Sequence, residues 1–432
     1  MHSTDNTADS AQDVSTSAMG EVLLPGIRVL EVATFAAGPT VGAILSDFGA
    51  DVIHIEEPLK GDPYRGILSQ AWITSEADLK FNASWELVNH NKRSVAISLK
   101  TKEGRAVFAA LVKQADVFVT NMLPERRLQL EITYEQLCAM NERLIYVGIS
   151  GYGEEGPLKN RRGYDFSAFW ASSGLMGMFG ETMGVPPMCR PGMGDRPTGL
   201  VAAGAVGLAL YNRERTGKGQ AISVSLIHMG MWQAGMDIQR TAALGAPGPY
   251  ESREQPSNPL WNPYRCRDGR WLLLALFADY DWPTICRALG HEELVDDARF
   301  ATAKARHANV RETVAMLDTV FQERTLGEWE PRLDAHKLVW APVLLPDEVV
   351  ASEQVRANGY FFDAEHSDPS LGKYRLLRSP LSFSRTPARF RRHAPALGEH
   401  TREVLGELGY DAQSIDRIVS RRDASAPQGG DR

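Results

Sequence analysis

Apolar positions in the first 150 residues fall into two alternating patterns. Short β-branched runs (GIRVLEVA, ADVIHIEEP, SVAISL, DVFVTN, LIYVGIS) predict strands, and between them TVGAILSDFG, TKEGRAVFAALVKQA and TYEQLCAMN carry apolar residues at helical spacing. Strands separated by helices predict a parallel sheet covered on both faces. Such sheets bind ligands outside the carboxyl ends of their strands. The loops TFAAGP, EEPLKGDPYR, LKTKEG, NMLPERR and SGYGEEGP are therefore the segments to watch. Further on, TGLVAAGAVGLALYNRE reads as a helix broken at RTGKGQ, AISVSL as a strand and HMGMWQAGMDIQRT as a helix. After the linker GAPGPYESREQPSNPLWNP, the segment YRCRDGRWLLLALF predicts a hairpin around Asp268-Gly269, then several helices.

The predicted fold class is α/β with a Rossmann-like large domain and a smaller α+β domain, since 432 residues exceed one ordinary core. The boundaries are a leader at 1–20, the first part of the large domain at 21–230, a linker at 231–262, the small domain at 263–336, a return to short strands, loops and a final amphipathic helix at 337–420, and a tail at 421–432. Leader and tail, rich in small and polar residues, are expected to be disordered.

Composition removes several functions. A net charge of −7 argues against non-specific nucleic-acid binding, and no apolar run reaches membrane-spanning length. Four cysteines without metal-like spacing fit a reducing cytoplasm. The first turn, FAAGP, is not a dinucleotide fingerprint, RTGKGQ lacks the pattern of a phosphate loop, and the ten histidines show no H-x-x-x-H, so neither NAD nor a metal is expected. What remains is a set of basic residues on the strand-end loops (Lys60, Arg65, Lys92, Arg93, Lys100, Arg126, Arg127), suited to an electropositive crevice for a phosphate-bearing ligand. Glycine turns such as SGYGEEG and GETMGVPP could bring bare N–H groups to a ligand.

The strings GIRVLEVATFAAGPTVGAILSDFGADVIHIEEP, NKRSVAISLKTKEGRAVFAALVKQADVFVTNMLP, LIYVGISGYGEEGPLKNRRGYD, RERTGKGQAISVSL and PALGEHTREVLGELGY together resemble the class III coenzyme A transferases, over about residues 26–410. That family includes formyl-CoA transferase, carnitine-type CoA transferases and α-methylacyl-CoA racemases. The resemblance implies a large domain built from both chain ends and an interlocked ring dimer, with coenzyme A entering as the acyl-CoA substrate. Carried over by position, the coenzyme contacts are Phe35, Ala36, Ala37, Ile97, Lys100, Asn121 and Met122, with Arg126 and Arg127 near enough to compensate for two arginines that this chain lacks.

The chemistry implied is transfer of CoA from an acyl-CoA donor to a carboxylic acid through a carboxylate-bound enzyme intermediate. The candidate carboxylates are Glu181, Asp195 and Asp165. Glu181 comes first, because GETMGVPP resembles a family turn in which Met183 occupies the place of an Asp. Two alternatives remain: a non-nucleophilic subunit of a heterodimer with a homologous chain, and an acyl-CoA racemase or isomerase. The racemase is disfavoured by Tyr164 where racemases carry a histidine, a tyrosine of ordinary pKa being a poor base near neutrality.

Overall fold

The computed structural model describes residues 21–66, 81–248, 251–277, 280–365, 369 and 372–424. The expected leader at 1–20 and tail residues 425–432 lie outside them. The chain forms two compact units. One comprises Met1–Asp165, Pro191–Met229 and Tyr360–Arg432; the other comprises Phe166–Arg190 and Gly230–Gly359.

The first unit is built on six strands, β1 (Arg28–Val32), β2 (Asp51–Glu56), β3 (Arg93–Ala96), β4 (Val117–Thr120), β5 (Ile145–Ser150) and β6 (Ala221–Ser225), in the order β3-β2-β1-β4-β5-β6. Every neighbouring pair is parallel. Each predicted strand is present. The order reverses between β1 and β4, so the crevice outside their carboxyl ends is the topological switch point, where open α/β sheets bind ligands.

Strand periodicity divides the side chains between two cores. Leu30, Ile53, Val95 and Phe118 pack with Val107, Leu111 and Val112 of the helix Lys102–Gln114 and with Val404 and Leu405 of Thr401–Glu407. On the other face, Val29, Val52, Val119 and Val147 meet Val41 and Ile44 of the helix Ala37–Asp47 and Ala202, Ala203 and Val206 of the helix Asp195–Thr216. Those two helices touch at Gly199, where a Cβ would lie 2.6 Å from the carbonyl oxygen of Ala37.

That second face also carries charge. Glu31 of β1 stands opposite His54 of β2, and His54 opposite Ser94 of β3. Glu31, His54 and the Lys92 that precedes β3 are fully buried. The Lys92 ammonium donates to both Glu31 oxygens (2.8 and 3.0 Å), to the Pro39 carbonyl (2.8 Å) and to Asn89 Oδ1 (3.0 Å), so the cation has four acceptors in place of water.

In the second unit the expected hairpin forms: β7 (Pro263–Arg265) pairs antiparallel with β8 (Trp271–Leu274), with Gly269 at φ +81° in the turn, and β9 (Trp340–Pro342) joins as a third strand. Helices Asp281–Leu289, Val310–Phe321 and Leu326–Ala335 pack on it around Trp282, Phe321 and Trp329. The stretch read as glycine turns is helical instead. Leu175–Met183 forms an α-helix that takes in Gly180, Glu181, Thr182 and Met183, and only Gly184, at φ +74°, ends it. Two glycines inside Leu175–Met183 were outweighed by Leu, Met and Phe at helical spacing, as with the Trp170–Phe179 stack at 5.7 Å.

Candidate active site

The site is assembled from the switch point upward. β1 ends at Val32, and the chain turns through Ala33, Thr34 and Phe35 into the helix Ala37–Asp47. Asn121, directly after β4, clasps this turn: the Thr34 N–H donates to Asn121 Oδ1 (3.0 Å), and Asn121 Nδ2 donates to the Thr34 carbonyl (2.7 Å). Phe35 sits at φ +64°, a left-handed conformation that L-residues rarely adopt. Its N–H donates to Asp62 Oδ1 (3.1 Å), which also accepts from the Tyr64 N–H (2.8 Å). The Phe35 ring lies edge-on to Tyr164 (centroids 5.5 Å apart) and tilted against Tyr64 (6.2 Å).

Two of the three candidate carboxylates meet here. Asp165 is buried, and its Oδ2 accepts from the Gly192 N–H at 2.5 Å. Asp195 opens the helix Asp195–Thr216, one turn before the Gly199 contact that seats this helix against Ala37. It keeps part of its surface exposed, yet its carboxyl is closely surrounded by protein. Burial, reinforced by the neighbouring Asp165 and only partly offset by Arg196, pushes it up to about 7. The Tyr64 hydroxyl senses the same group: burial raises its pKa, and Arg196, Asp195 and Asp165 all act on it. Asp165, Asp195, Arg196, Tyr64, Tyr164 and Phe35 thus gather at the carboxyl end of β1. Glu181 lies in the second unit, in the helix Leu175–Met183.

The proposed coenzyme contacts divide by environment. Ala36 and Ala37 are buried where the turn enters its helix, and Ile97 is buried in the first core. Lys100 is exposed just before the cap Thr101 of Lys102–Gln114. Met122 packs half-buried on the first core, and Arg126 donates to Gln129 Oε1 at 3.1 Å. The expected electropositive crevice loses four of its seven members to carboxylates. Arg65 is held bidentately by Glu56 (2.8 and 2.7 Å), Lys92 by Glu31, Arg93 by Asp51 and Glu407, and Arg127 by Glu154 (3.0 and 2.9 Å). Arg65 also lies over the Trp85 ring at 3.9 Å, a further tie to the protein. Lys92 and Arg93 moreover stand at the start of β3, not at its carboxyl end. Of the seven, Lys60, Lys100 and Arg126 remain. Among the described residues no group of three His, Cys, Asp or Glu side chains could hold a metal ion.

Asp62 and Tyr64 were missed as site residues. Their signal was available, since both stand in EEPLKGDPYR, a loop after a β-strand in which an Asp-Pro pair turns the chain.

The profile of CoA-transferase family III matches residues 24–401. The chain is 34% identical over 398 residues to the (R)-2-hydroxy-4-methylpentanoate CoA-transferase of Clostridioides difficile, covering 92% of this chain and 98% of the relative. It is 30% identical over 407 residues to the cinnamoyl-CoA:phenyllactate CoA-transferase of Clostridium sporogenes, covering 93% and 97%. Among solved structures, a CAIB/BAIF family protein from Brucella suis matches with a TM-score of 0.78 and 31% identity, over 90% of this chain and 99% of that one. With a family match over most of its length and relatives of this kind, the chain belongs to CoA-transferase family III and is an enzyme of the class III CoA-transferase type.

Proposed function

We propose that the protein moves coenzyme A from an acyl-CoA donor to a carboxylic acid acceptor, and that Asp195 is the carboxylate that carries the group. The observation behind this is the place of Asp195: a surrounded carboxyl at the head of a helix, beside the turn that follows β1 at the switch point. Asp195 takes precedence over Glu181 because the geometry of the first unit gathers it with Asp165 and Tyr64 and with Phe35 of the proposed coenzyme loop. A carboxylate whose pKa is raised is also a better nucleophile once ionised.

In the proposed course, an Asp195 oxygen attacks the thioester carbonyl, the C–S bond breaks, and CoA leaves as a thiolate while a mixed anhydride forms. The thiolate then attacks the Asp195 carbonyl of that anhydride. The donor acid departs as a carboxylate, and an Asp195–CoA thioester remains. The acceptor carboxylate repeats the two steps in reverse order, so Asp195 is released unchanged and no net proton is exchanged. Asp165, fixed by Gly192, serves as the neighbouring charge that keeps the Asp195 carboxylate from being over-stabilised. Phe35, Ala36, Ala37 and Asn121 form the coenzyme loop, with Ile97 and Met122 on its apolar side and Lys100 and Arg126 as phosphate partners. The racemase alternative finds no support in Tyr164, whose ring is engaged edge-on with Phe35.

The helix Asp195–Thr216 supports the proposed dimer. While Ala202, Val206 and Ala209 face the core, Val201, Leu208 and Tyr211 form an exposed apolar stripe at heptad-like spacing, with Leu208 75% exposed. In the second unit Trp232 and Met236 are equally bare. Such surface is characteristic of protein contacts. We place the enzyme in the cytoplasm, in keeping with only four cysteines in so long a chain, and no helix among the described residues is long and apolar enough to cross a membrane.

The test is to incubate the protein with acyl-CoA donors and weigh it by mass spectrometry after hydroxylamine or borohydride trapping. Wild type should yield a trapped adduct, Asp195→Asn none, and Glu181→Gln an undiminished amount. Loss of the adduct in Glu181→Gln but not in Asp195→Asn would return the role to Glu181. An adduct formed only when a homologous chain is added would overturn the homodimeric reading.

A further inference from the structure

The turn after β1 is held from below by a buried chain of charged groups that the transfer chemistry does not use. Phe35 needs support in its left-handed conformation, and Asp62 Oδ1 supplies it through the Phe35 N–H while bonding the Tyr64 N–H as well. Asp62 is 2% exposed. Its other oxygen, Oδ2, faces His54 Nε2 at 3.7 Å, and neither atom has a hydrogen-bond partner among the described residues. His54 Nδ1 donates to Glu31 Oε1 at 2.7 Å, and Lys92 holds Glu31. Burial works against charge on His54, but its bond to Glu31 and the fields of Glu31 and Glu56 outweigh that and raise its pKa. His54 thus lies behind the Asp62 carboxyl, with its protonated form favoured over that of a free imidazole. Glu56, on the same side, is taken up by Arg65 and Ser94.

We propose that Asp62 is a positioning residue for acyl-CoA: seated against His54, it fixes Phe35 in its left-handed conformation and so presents the turn at 35–37 to the coenzyme. The inference rests on the reading of that turn as the coenzyme contact. Its consequence is selective. Losing Asp62 loosens the turn that meets CoA and leaves Asp195 and Asp165, which stand on other segments, in place. Binding of acyl-CoA should suffer, while the acceptor acid and the chemical step should not.

The experiment measures free-CoA binding by calorimetry and steady-state kinetics on the full-length enzyme. Asp62→Ala should raise both the Kd for CoA and the KM for acyl-CoA by about tenfold or more, the scale of one hydrogen bond to a charged group. The kcat and the acceptor KM should stay within about twofold. Asp62→Asn, which keeps an oxygen to accept both N–H groups, should restore acyl-CoA KM to within about threefold. Glycine takes the left-handed conformation unaided, so adding Asp62→Ala to Phe35→Gly should cost less than about threefold. Should Asp62→Ala fail to fold, the double variant decides, and the proposal requires it to fold and to bind CoA as Phe35→Gly does. Wild type that binds CoA together with an Asp62→Ala protein that binds it equally well overturns the proposal alone. Equal losses toward both substrates, a full additive loss in the double variant, or a double variant that does not fold overturn it too. Wild type that binds no CoA overturns the coenzyme reading itself and the proposal with it.

Discussion

Two acidic side chains in the first unit are shifted in opposite directions, and the neighbours explain why. Glu56 is buried, which alone would raise its pKa, but the Arg65 guanidinium, His54 and the Ser94 hydroxyl bring it down to about 2. Asp195 is similarly enclosed but faces Asp165, with only Arg196 to compensate, and rises to about 7. An attacking carboxylate must be ionised, so kcat/KM should climb with pH through about 7 and level off above it. A pH–rate profile flat from about pH 5.5 to 8.5 would separate the reaction from this group. The effect on stability has the other sign. Between the ordinary Asp value and about 7 the folded chain holds a proton that the unfolded chain has lost, so this group's contribution is full at low pH and is lost as pH rises through about 7. Replacing Asp195 with Asn should abolish transfer and flatten the stability dependence.

At the scale of elements, the site depends on how two helices are set against the sheet. Gly199 is the contact: a Cβ there would lie 2.6 Å from both the Ala37 carbonyl oxygen and the Thr40 Cβ, so the helix Asp195–Thr216 can approach only because this residue has no side chain. Gly199→Ala should destabilise the protein by about 1–3 kcal/mol, the usual cost of overpacking, read from urea unfolding. It should also lower activity out of proportion to that loss, because the helix that moves carries Asp195. Unchanged stability and activity would mean that the two helices do not need this spacing.

At the scale of the whole molecule, the exposed stripe of Val201, Leu208 and Tyr211 and the bare Trp232 and Met236 are costly in a solitary chain. Sedimentation should therefore show a dimer that persists on dilution, as expected for rings that interlock. A monomer–dimer equilibrium that shifts with concentration in the micromolar range would count against interlocking.

The sequence by itself determined the parallel sheet, because β-branched runs alternating with helical periodicity over 150 residues have few other ways to bury both faces. It also marked the strand-end loops, the hairpin at Asp268-Gly269 and the three candidate carboxylates. What it could not determine was which charges are free. Lys92 and Arg93 read as cations for a ligand, yet their partners Glu31, Asp51 and Glu407 are up to 314 positions away in the chain, and only strand register and the returning C-terminal helix bring them together. Nor could it rank Glu181 against Asp195. Local composition made a turn of residues 180–187, whereas packing drew the first four of them into a helix and set Asp195 beside the turn that follows β1. Periodicity reports on burial of a local face, while the state of a carboxylate depends on everything within a few ångströms of it, and that neighbourhood exists only once distant segments have folded together.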